Sequence, residues 1–257
     1  MRKNGKRINT RNLAEDRKSI LTESSDFFVR EAYKTLRTNC IFALAGQEGC
    51  KVLTLTSSLQ GEGKSTTALN LAISFAQAEN RVILIDCDLR RPQVARLLRK
   101  RSSVGLSNLL LDLSQIDKAI VKSGIERLDV ILSGDIPPNP SELLGSTRMS
   151  ALLEQLRERY DYVILDTPPV NMVTDAVVLA PKSDGVLFVV RANCSERGLV
   201  ARAVEQLQYA NTKILGFVLD DVVASGGSYR YKKYGGYGYG SAYVDSEKKT
   251  SAGAPRR

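Results

Sequence analysis

The stretch "TLTSSLQGEGKSTTALNLA", residues 54–72, decides the fold class, because it joins an apolar run to a helical pattern through a glycine-rich turn. Its centre, residues 58–65, has the spacing G-x-x-x-x-G-K-[ST], with Ser58 in place of the first glycine. Glycines let such a turn curl so that its N–H groups point at phosphate, and the following helix N-terminus adds partial positive charge. A simple tight turn is the alternative. The Lys-Ser pair after Gly63 favours a phosphate-binding loop.

Apolar runs and amphipathic patterns alternate around this loop. Strands are predicted at 51–58, 81–86, 128–134, 162–169, 185–190 and 214–222. Helices are predicted near 28–45, 64–79, 92–100, 141–159, 174–181 and 195–210, the first with an apolar stripe of Phe28, Ala32, Leu36 and Ile41. Strands that are apolar on both faces and alternate with helices form a covered parallel sheet. We therefore expect an α/β protein with a doubly wound, mostly parallel sheet and a P-loop NTPase fold.

The loop supplies the candidate nucleotide-binding residues. They are Ser58, Gly61, Glu62, Gly63, Lys64, Ser65 and Thr66. In this arrangement Lys64 can reach the β- and γ-phosphates, and the Ser65 hydroxyl can ligate Mg²⁺. The loop therefore predicts a nucleoside triphosphate, ATP, bound together with Mg²⁺.

Carboxylates end two further predicted strands. Asp86 and Asp88 follow "VILI", and Asp166 follows "YVIL". A single aspartate at such a place is usually a cap, but three of them at the carboxyl edge of a parallel sheet would lie beside the phosphate loop. Mg²⁺ prefers hard oxygen ligands. The predicted metal ligands are Ser65, Asp86 and Asp166.

The net charge of +9 is concentrated at the two ends of the chain. Residues 1–22 and residues 224–257 each carry seven Lys/Arg and two Asp/Glu, which leaves the body near −1. A near-neutral body argues against a nucleic-acid groove. Basic ends suit an anionic membrane surface or simply solubility. We predict a flexible basic N-terminal arm at 1–25, a catalytic domain at 26–223 and a disordered tail at 224–257.

Other residue types exclude several chemistries. The chain has no histidine, which excludes a Ser-His-Asp triad and the usual zinc sites. Its four cysteines show no C-x-x-C spacing and there is no leader pattern, so we expect reduced thiols in the cytoplasm. No apolar run approaches the roughly 18 residues of a membrane span.

Tyrosines are concentrated in the predicted tail. Six of the ten lie within "YRYKKYGGYGYGSAY": Tyr229, Tyr231, Tyr234, Tyr237, Tyr239 and Tyr243. No apolar period runs through this segment, so the rings do not build a core. Taken alone, the segment is equally compatible with low-complexity sequence.

Several segments together resemble the bacterial protein-tyrosine kinases of capsule and exopolysaccharide systems, in the Gram-positive cytoplasmic form. They are "EAYKTLRTN" (31–39), "SSLQGEGKSTTALNLA" (57–72), "VILIDCDLRRP" (82–92), "PPNPSELL" (137–144), "YVILDTPPV" (162–170) and the tyrosine cluster. A partitioning-type ATPase switch is the first alternative, although Leu59 stands where those proteins usually carry a lysine. A non-catalytic nucleotide-binding scaffold is the second.

The resemblance implies an ATP- and Mg²⁺-dependent kinase that phosphorylates its own terminal tyrosines between the subunits of a ring. Lys64, Asp86, Asp88 and Asp166 would be catalytic, with Asp88 or Asp86 orienting the phenol. Glu31, Lys34 and Arg37 match the family's ring-interface pattern, with lysine at the middle position. The implied partners are a separate transmembrane activator that recruits the protein to the inner membrane face, a cognate tyrosine phosphatase, and substrates such as sugar-nucleotide enzymes. The implied role is regulation of polysaccharide synthesis and export.

Overall fold

A computed structural model describes residues 19–222, and within them the chain folds around a seven-stranded sheet. The strand order is β3-β4-β2-β5-β1-β6-β7. The strands are β1 (Lys51–Ser57), β2 (Val82–Asp86), β3 (Ile120–Ile125), β4 (Leu128–Ile131), β5 (Tyr162–Asp166), β6 (Gly185–Arg191) and β7 (Ile214–Asp220). All pairings are parallel except that of β3 with β4. The predicted fold class is confirmed.

Helices connect the parallel strands. They are α1 (Phe27–Ala43), α2 (Lys64–Ala76), α3 (Val94–Leu98), α4 (Leu106–Leu109), α5 (Ile116–Ala119), α6 (Pro140–Gly145), α7 (Thr147–Arg157), α8 (Asp175–Leu179) and α9 (Arg197–Tyr209). Two short 3₁₀ turns lie at Leu113–Gln115 and Ala180–Lys182.

The sheet is buried on both faces because neighbouring residues of its inner strands enter different cores. In β2, Leu84 packs in the cluster that includes α2, whereas Ile83 and Ile85 pack in the cluster that includes α7. Phe75 of α2 also stacks on Tyr162 of β5, with ring centroids 3.8 Å apart. Because both faces of these strands are buried, their sequences are continuous apolar runs.

Two elements differ from the sequence prediction. The structure adds β3, an edge strand antiparallel to β4, which was missed because its half-exposed "IVKSGI" lacks a continuous apolar run. The single helix predicted at 141–159 is two helices, because Ser146 leaves the helical conformation (ψ 160°). Its side chain then caps α7 by accepting from the Met149 N–H.

The predicted helix α1 is present, but of the four residues of its predicted apolar stripe only Leu36 packs against the core. Phe28 and Ile41 are 53% and 43% exposed, whereas Cys40 is buried, and Tyr33 and Leu36 pack against the core. Aromatic and aliphatic residues occur all round this helix, so periodicity alone could not identify the buried face.

The end of the predicted N-terminal arm is held in place. Leu21 is buried, and its N–H donates to Asn70 Oδ1 at 2.8 Å. Asn70 Nδ2 donates in turn to the Ser19 carbonyl at 2.7 Å. A loosely held arm therefore does not extend to residues 19–21. Residues 1–18 of that arm and the predicted tail, 224–257, lie outside the described residues, and the domain boundaries remain a prediction.

No helix within residues 19–222 combines the length and the apolar character needed to cross a bilayer.

Candidate active site

The phosphate loop lies between the end of β1 and the start of α2, where the sequence predicts it. Gly61 and Gly63 both adopt positive φ, 86° and 90°. A Cβ on Gly63 would stand 2.1 Å from Asp220 Oδ2, at the end of β7, whereas a Cβ on Gly61 would meet nothing within 4 Å. At Gly63 a side chain would therefore be disfavoured both by the positive φ and by the clash with Asp220. At Gly61 it would be disfavoured by the positive φ alone.

Glu62 shapes the loop from within. Its buried carboxylate accepts hydrogen bonds from the Ser58 hydroxyl at 2.7 Å and from the Leu59 N–H at 2.8 Å. The hydroxyl of Ser195, in the loop after β6, donates to the same carboxylate. Arg191 adds a bond to the Gly61 carbonyl at 3.0 Å. Ser58 and Glu62 are thus engaged with one another, and these contacts hold the loop curled. Arg191 and Ser195 were not predicted, because no sequence motif marks them.

The three predicted aspartates meet beside this loop. Asp86 and Asp166 end the neighbouring strands β2 and β5 and are paired in register. Lys64 Nζ lies between the strand ends, 3.1 Å from Asp88 Oδ2 and 3.4 Å from Asp166 Oδ1, and 3.2 Å from Ser65 Oγ. All of these side chains are buried. One ammonium therefore faces three carboxylates in a water-poor site, an arrangement in which charges interact strongly.

Asp86 is held mainly by the backbone. Its Oδ2 accepts from the N–H groups of Gln93 and Val94, at 3.0 and 2.9 Å, and its Oδ1 accepts from the Asp88 N–H at 3.3 Å. Asp166 differs, because its Oδ2 is buried without a hydrogen-bond partner. A buried acceptor left unpartnered is costly, so this atom is suited to a ligand.

Burial and mutual repulsion shift the ionisation of these groups. Burial, together with the charge of Asp166, raises the pKa of Asp86 to about 7. Burial also raises the pKa of Asp166, against the opposing effect of Lys64. For Lys64, burial would lower the pKa, but the nearby carboxylates of Asp166, Asp88 and Asp86 outweigh burial and raise it. The site therefore holds Lys64 as a cation beside carboxyls that burial makes easier to protonate.

The donor set fits a magnesium ion that is bound together with a nucleotide. Among residues 19–222, no three His, Cys, Asp or Glu side chains form a complete metal cage. Mg²⁺ in nucleotide sites does not need one, since it keeps several waters and uses one or two carboxylates plus phosphates. The Ser65 hydroxyl and the unpartnered oxygen of Asp166 meet that requirement, with Asp86 beside them.

A second ionic network adjoins the aspartates. Arg90 forms a bidentate pair with the buried Asp175, at 2.9 and 3.1 Å, and also donates to Ser141 Oγ at 3.3 Å. Arg91 instead donates to Gln60 Oε1 at 2.6 Å. Neither Asp175 nor Ser141 was predicted as a site residue.

The remaining predicted site residues are placed differently. Lys34 pairs with Glu31 of its own helix at 2.7 Å. Arg37 donates to the Ser74 carbonyl of α2 at 2.5 Å. The three therefore bind within the chain itself, and their role at an interface stays a prediction. The predicted phosphoacceptor tyrosines, Tyr229 to Tyr243, lie outside the described residues.

The chain is similar to bacterial tyrosine-protein kinases in both sequence and structure. The family model described as an AAA domain matches residues 50–215. The tyrosine-protein kinase YwqD of Bacillus subtilis is 41% identical over 208 residues, which cover 81% of this chain and 86% of the relative. The solved kinase domain of the Escherichia coli tyrosine kinase ETK is 34% identical, with a TM-score of 0.74 over 82% of this chain and 80% of that one.

The partitioning-type alternative shares only the fold. The septum site-determining protein MinD of Pyrococcus horikoshii OT3, solved with Mg-ADP, is 19% identical, with a TM-score of 0.56 over 66% of this chain and 70% of that one. The loop, the carboxylate cluster and the extended similarity to YwqD and ETK together identify the family. The chain belongs to the bacterial tyrosine-protein kinases.

Proposed function

We propose that the protein transfers the γ-phosphoryl group of ATP to tyrosine phenols, above all to those of its own terminal cluster between subunits of a ring. The observation that carries the proposal is the buried Lys64 ammonium, held between Asp88 and Asp166 beside the curled loop. A lysine placed there can leave the carboxylates for the phosphates when ATP enters.

Phosphoryl transfer depends mainly on positioning and on neutralising charge. The loop N–H groups and the N-terminus of α2 would bind the phosphates, and Lys64 would neutralise the β- and γ-oxygens. Thr66 follows Ser65 in the first turn of α2, where it would add to the phosphate contacts. Ser65, Asp166 and Asp86 would hold Mg²⁺, which when bound supplies further neutralisation of the phosphate oxygens.

The acceptor phenol has a reference pKa of about 10, so it arrives protonated at pH 7. As its oxygen bonds to the γ-phosphorus, the bond from that phosphorus to the leaving oxygen of ADP breaks, and a carboxylate takes the phenolic proton. Asp88 is the preferred acceptor. The oxygens of Asp86 already accept three backbone N–H groups and Asp86 is a proposed Mg²⁺ ligand, so Asp88 is the freer of the two to face the phenol.

The proposed acceptors are Tyr229, Tyr231, Tyr234, Tyr237, Tyr239 and Tyr243. Six phosphates would add about −9 to −12 to a segment, 224–257, that now carries +5. This reversal would loosen the ring. Subunits would be joined by Glu31, Lys34 and Arg37, which would exchange their contacts within the chain for contacts with a neighbouring subunit. Lys34 would bind less firmly than an arginine, because it lacks the bidentate geometry of a guanidinium. Light scattering before and after ATP treatment measures the change, and an unchanged particle mass contradicts it.

The proposed setting is the inner face of the cell membrane. A separate transmembrane activator would recruit the protein from the cytoplasm, a cognate phosphatase would reverse the modification, and sugar-nucleotide enzymes would be further substrates. The kinase would thereby regulate capsular or exopolysaccharide synthesis and export. The membership of the chain in the bacterial tyrosine-protein kinases supports this setting.

Incubation with γ-labelled ATP and Mg²⁺, followed by a phosphosite map, tests the function. We expect phosphate on residues 229–243, and none in a Lys64→Arg variant, which keeps the cation but changes its shape and reach. Free phosphate without phosphotyrosine would instead favour the ATPase switch. Nucleotide binding without either product would favour the scaffold.

A further inference from the structure

A groove of about 560 Å³ lies on the described surface, between the loop after β4 and helices α4, α6 and α7. Its apolar lining includes Leu110, Leu143, Pro137 and Pro138. None of its lining residues belongs to the phosphate loop or to the carboxylates around Lys64. The size is that of a site for a small ligand or for one or two side chains of a peptide.

The groove lining carries two carboxylates, Asp135 and Glu142, against one basic residue, Arg148. Asp135 accepts from Asn108 Nδ2 at 2.9 Å, and Glu142 accepts from Asn139 Nδ2 at 3.1 Å, so each carboxylate is hydrogen-bonded to a neutral amide. The one basic residue in the lining, Arg148, donates instead to the carbonyls of Leu110 and Leu111. An occupant that is both apolar and cationic would complement this surface.

The groove adjoins the proposed transfer site. Glu142 follows Ser141, whose hydroxyl contacts Arg90 and Asp175. Arg90 is two residues after Asp88, the preferred proton acceptor. The strands β2 and β4, which lead into Asp88 and into the groove, are parallel neighbours. Both places therefore lie at the same carboxyl edge of the sheet, so an extended peptide bound in the groove would pass close to the carboxylates.

We propose that the groove docks the cationic, tyrosine-bearing segment of a second copy of the chain, residues 229–243, before phosphoryl transfer. Arg230, Lys232 and Lys233 supply the positive charge that Asp135 and Glu142 lack. Tyrosine rings supply apolar faces for the two prolines and for Leu111, which is 66% exposed. The inference rests on the proposed function. It adds a basis for selectivity: the groove binds the basic residues beside a tyrosine, at a place away from the reacting phosphate.

The test measures binding without nucleotide, so that it does not depend on catalysis. A fluorescently labelled peptide of residues 229–243 is titrated with the full-length protein, read by anisotropy. In an Asp135→Asn/Glu142→Gln variant we expect Kd to rise about fivefold. The control is Glu126→Gln/Glu158→Gln, which removes the same charge from exposed positions outside the groove and should leave Kd unchanged.

A second peptide carries glutamine at 230, 232 and 233. It should bind the wild type about fivefold more weakly and should not distinguish the groove variant. In kinase assays, KM for the unmodified peptide should rise about fivefold in the groove variant while kcat is kept. Equal Kd and KM for groove and control variants would overturn the docking site and leave the kinase function standing. Groove-dependent binding without any phosphotyrosine would support the docking site and overturn the proposed function.

Discussion

Replacing Lys64 with methionine should destabilise the protein without ATP, as well as abolish phosphotransfer. Lys64 is the counterion of Asp88 and Asp166, at 3.1 and 3.4 Å, and its side chain is 9% exposed. Methionine has a similar length but no charge. In the variant, Asp88 and Asp166 therefore stay buried without the positive charge that balances their negative charges.

Removing one partner of a buried ion pair costs about 3–5 kcal/mol. We take the lower limit, because the raised pKa values of Asp86 and Asp166 let these carboxyls take up protons once the cation is gone. For a folded region of this size, about 3 kcal/mol corresponds to a fall in Tm of about 6–12 °C. Lys64→Arg is the matched control, since it keeps a positive charge, and its Tm should stay within about 2 °C of the wild type.

The loss should depend on pH in a definite direction. Without Lys64, the pKa of Asp166 rises further above its unfolded value of about 3.9. An acid whose pKa is raised by folding does not lower the free energy of unfolding when the pH is below its unfolded pKa. The destabilisation grows as the pH rises through the folded pKa. Thermal unfolding from pH 4 to pH 8 should show the Tm difference widening with pH. A constant difference, or one under about 2 °C at pH 8, would refute the reasoning.

Three further predictions follow from the site and its surroundings. Asp166→Asn should end phosphotransfer yet raise the Tm of the nucleotide-free protein at pH 8 by about 2–4 °C, because it relieves repulsion with buried Asp86; an unchanged or lower Tm contradicts this. Gly63→Ala should weaken ADP binding in calorimetry about tenfold, and Gly61→Ala less, because only the first adds a clash, with Asp220, to the backbone strain. Ser146→Ala should cost about 1 kcal/mol in denaturant unfolding by removing the cap of α7, and a loss below about 0.3 kcal/mol would argue against the cap.

The sequence was sufficient to predict the central sheet and the position of the phosphate loop. Strands such as β2 and β5 are apolar on both faces, so they stand out against amphipathic helices, and each ends at an aspartate. Parallel strands bring those ends to one edge. The proximity of Asp86 and Asp166 could therefore be predicted without coordinates.

The remaining features depend on contacts between distant segments. Nothing near Lys64 in the sequence shows that it pairs with Asp88 and Asp166, or that Ser195 braces Glu62 from 133 positions away. The strand β3 was missed for a different reason. It lies at an edge, where one side needs no apolar run, and Lys122 and Gly124 there hide the strand pattern.

The position of β1 has a consequence for biosynthesis. This strand is flanked by β5 and β6, whose partner residues begin more than 100 positions later in the chain. During translation, the segment that becomes the phosphate loop leaves the ribosome before the two strands that enclose it. A nascent chain that stops before residue 191 lacks the contact of Arg191 with the loop, so nucleotide can support folding only after β6 has left the ribosome.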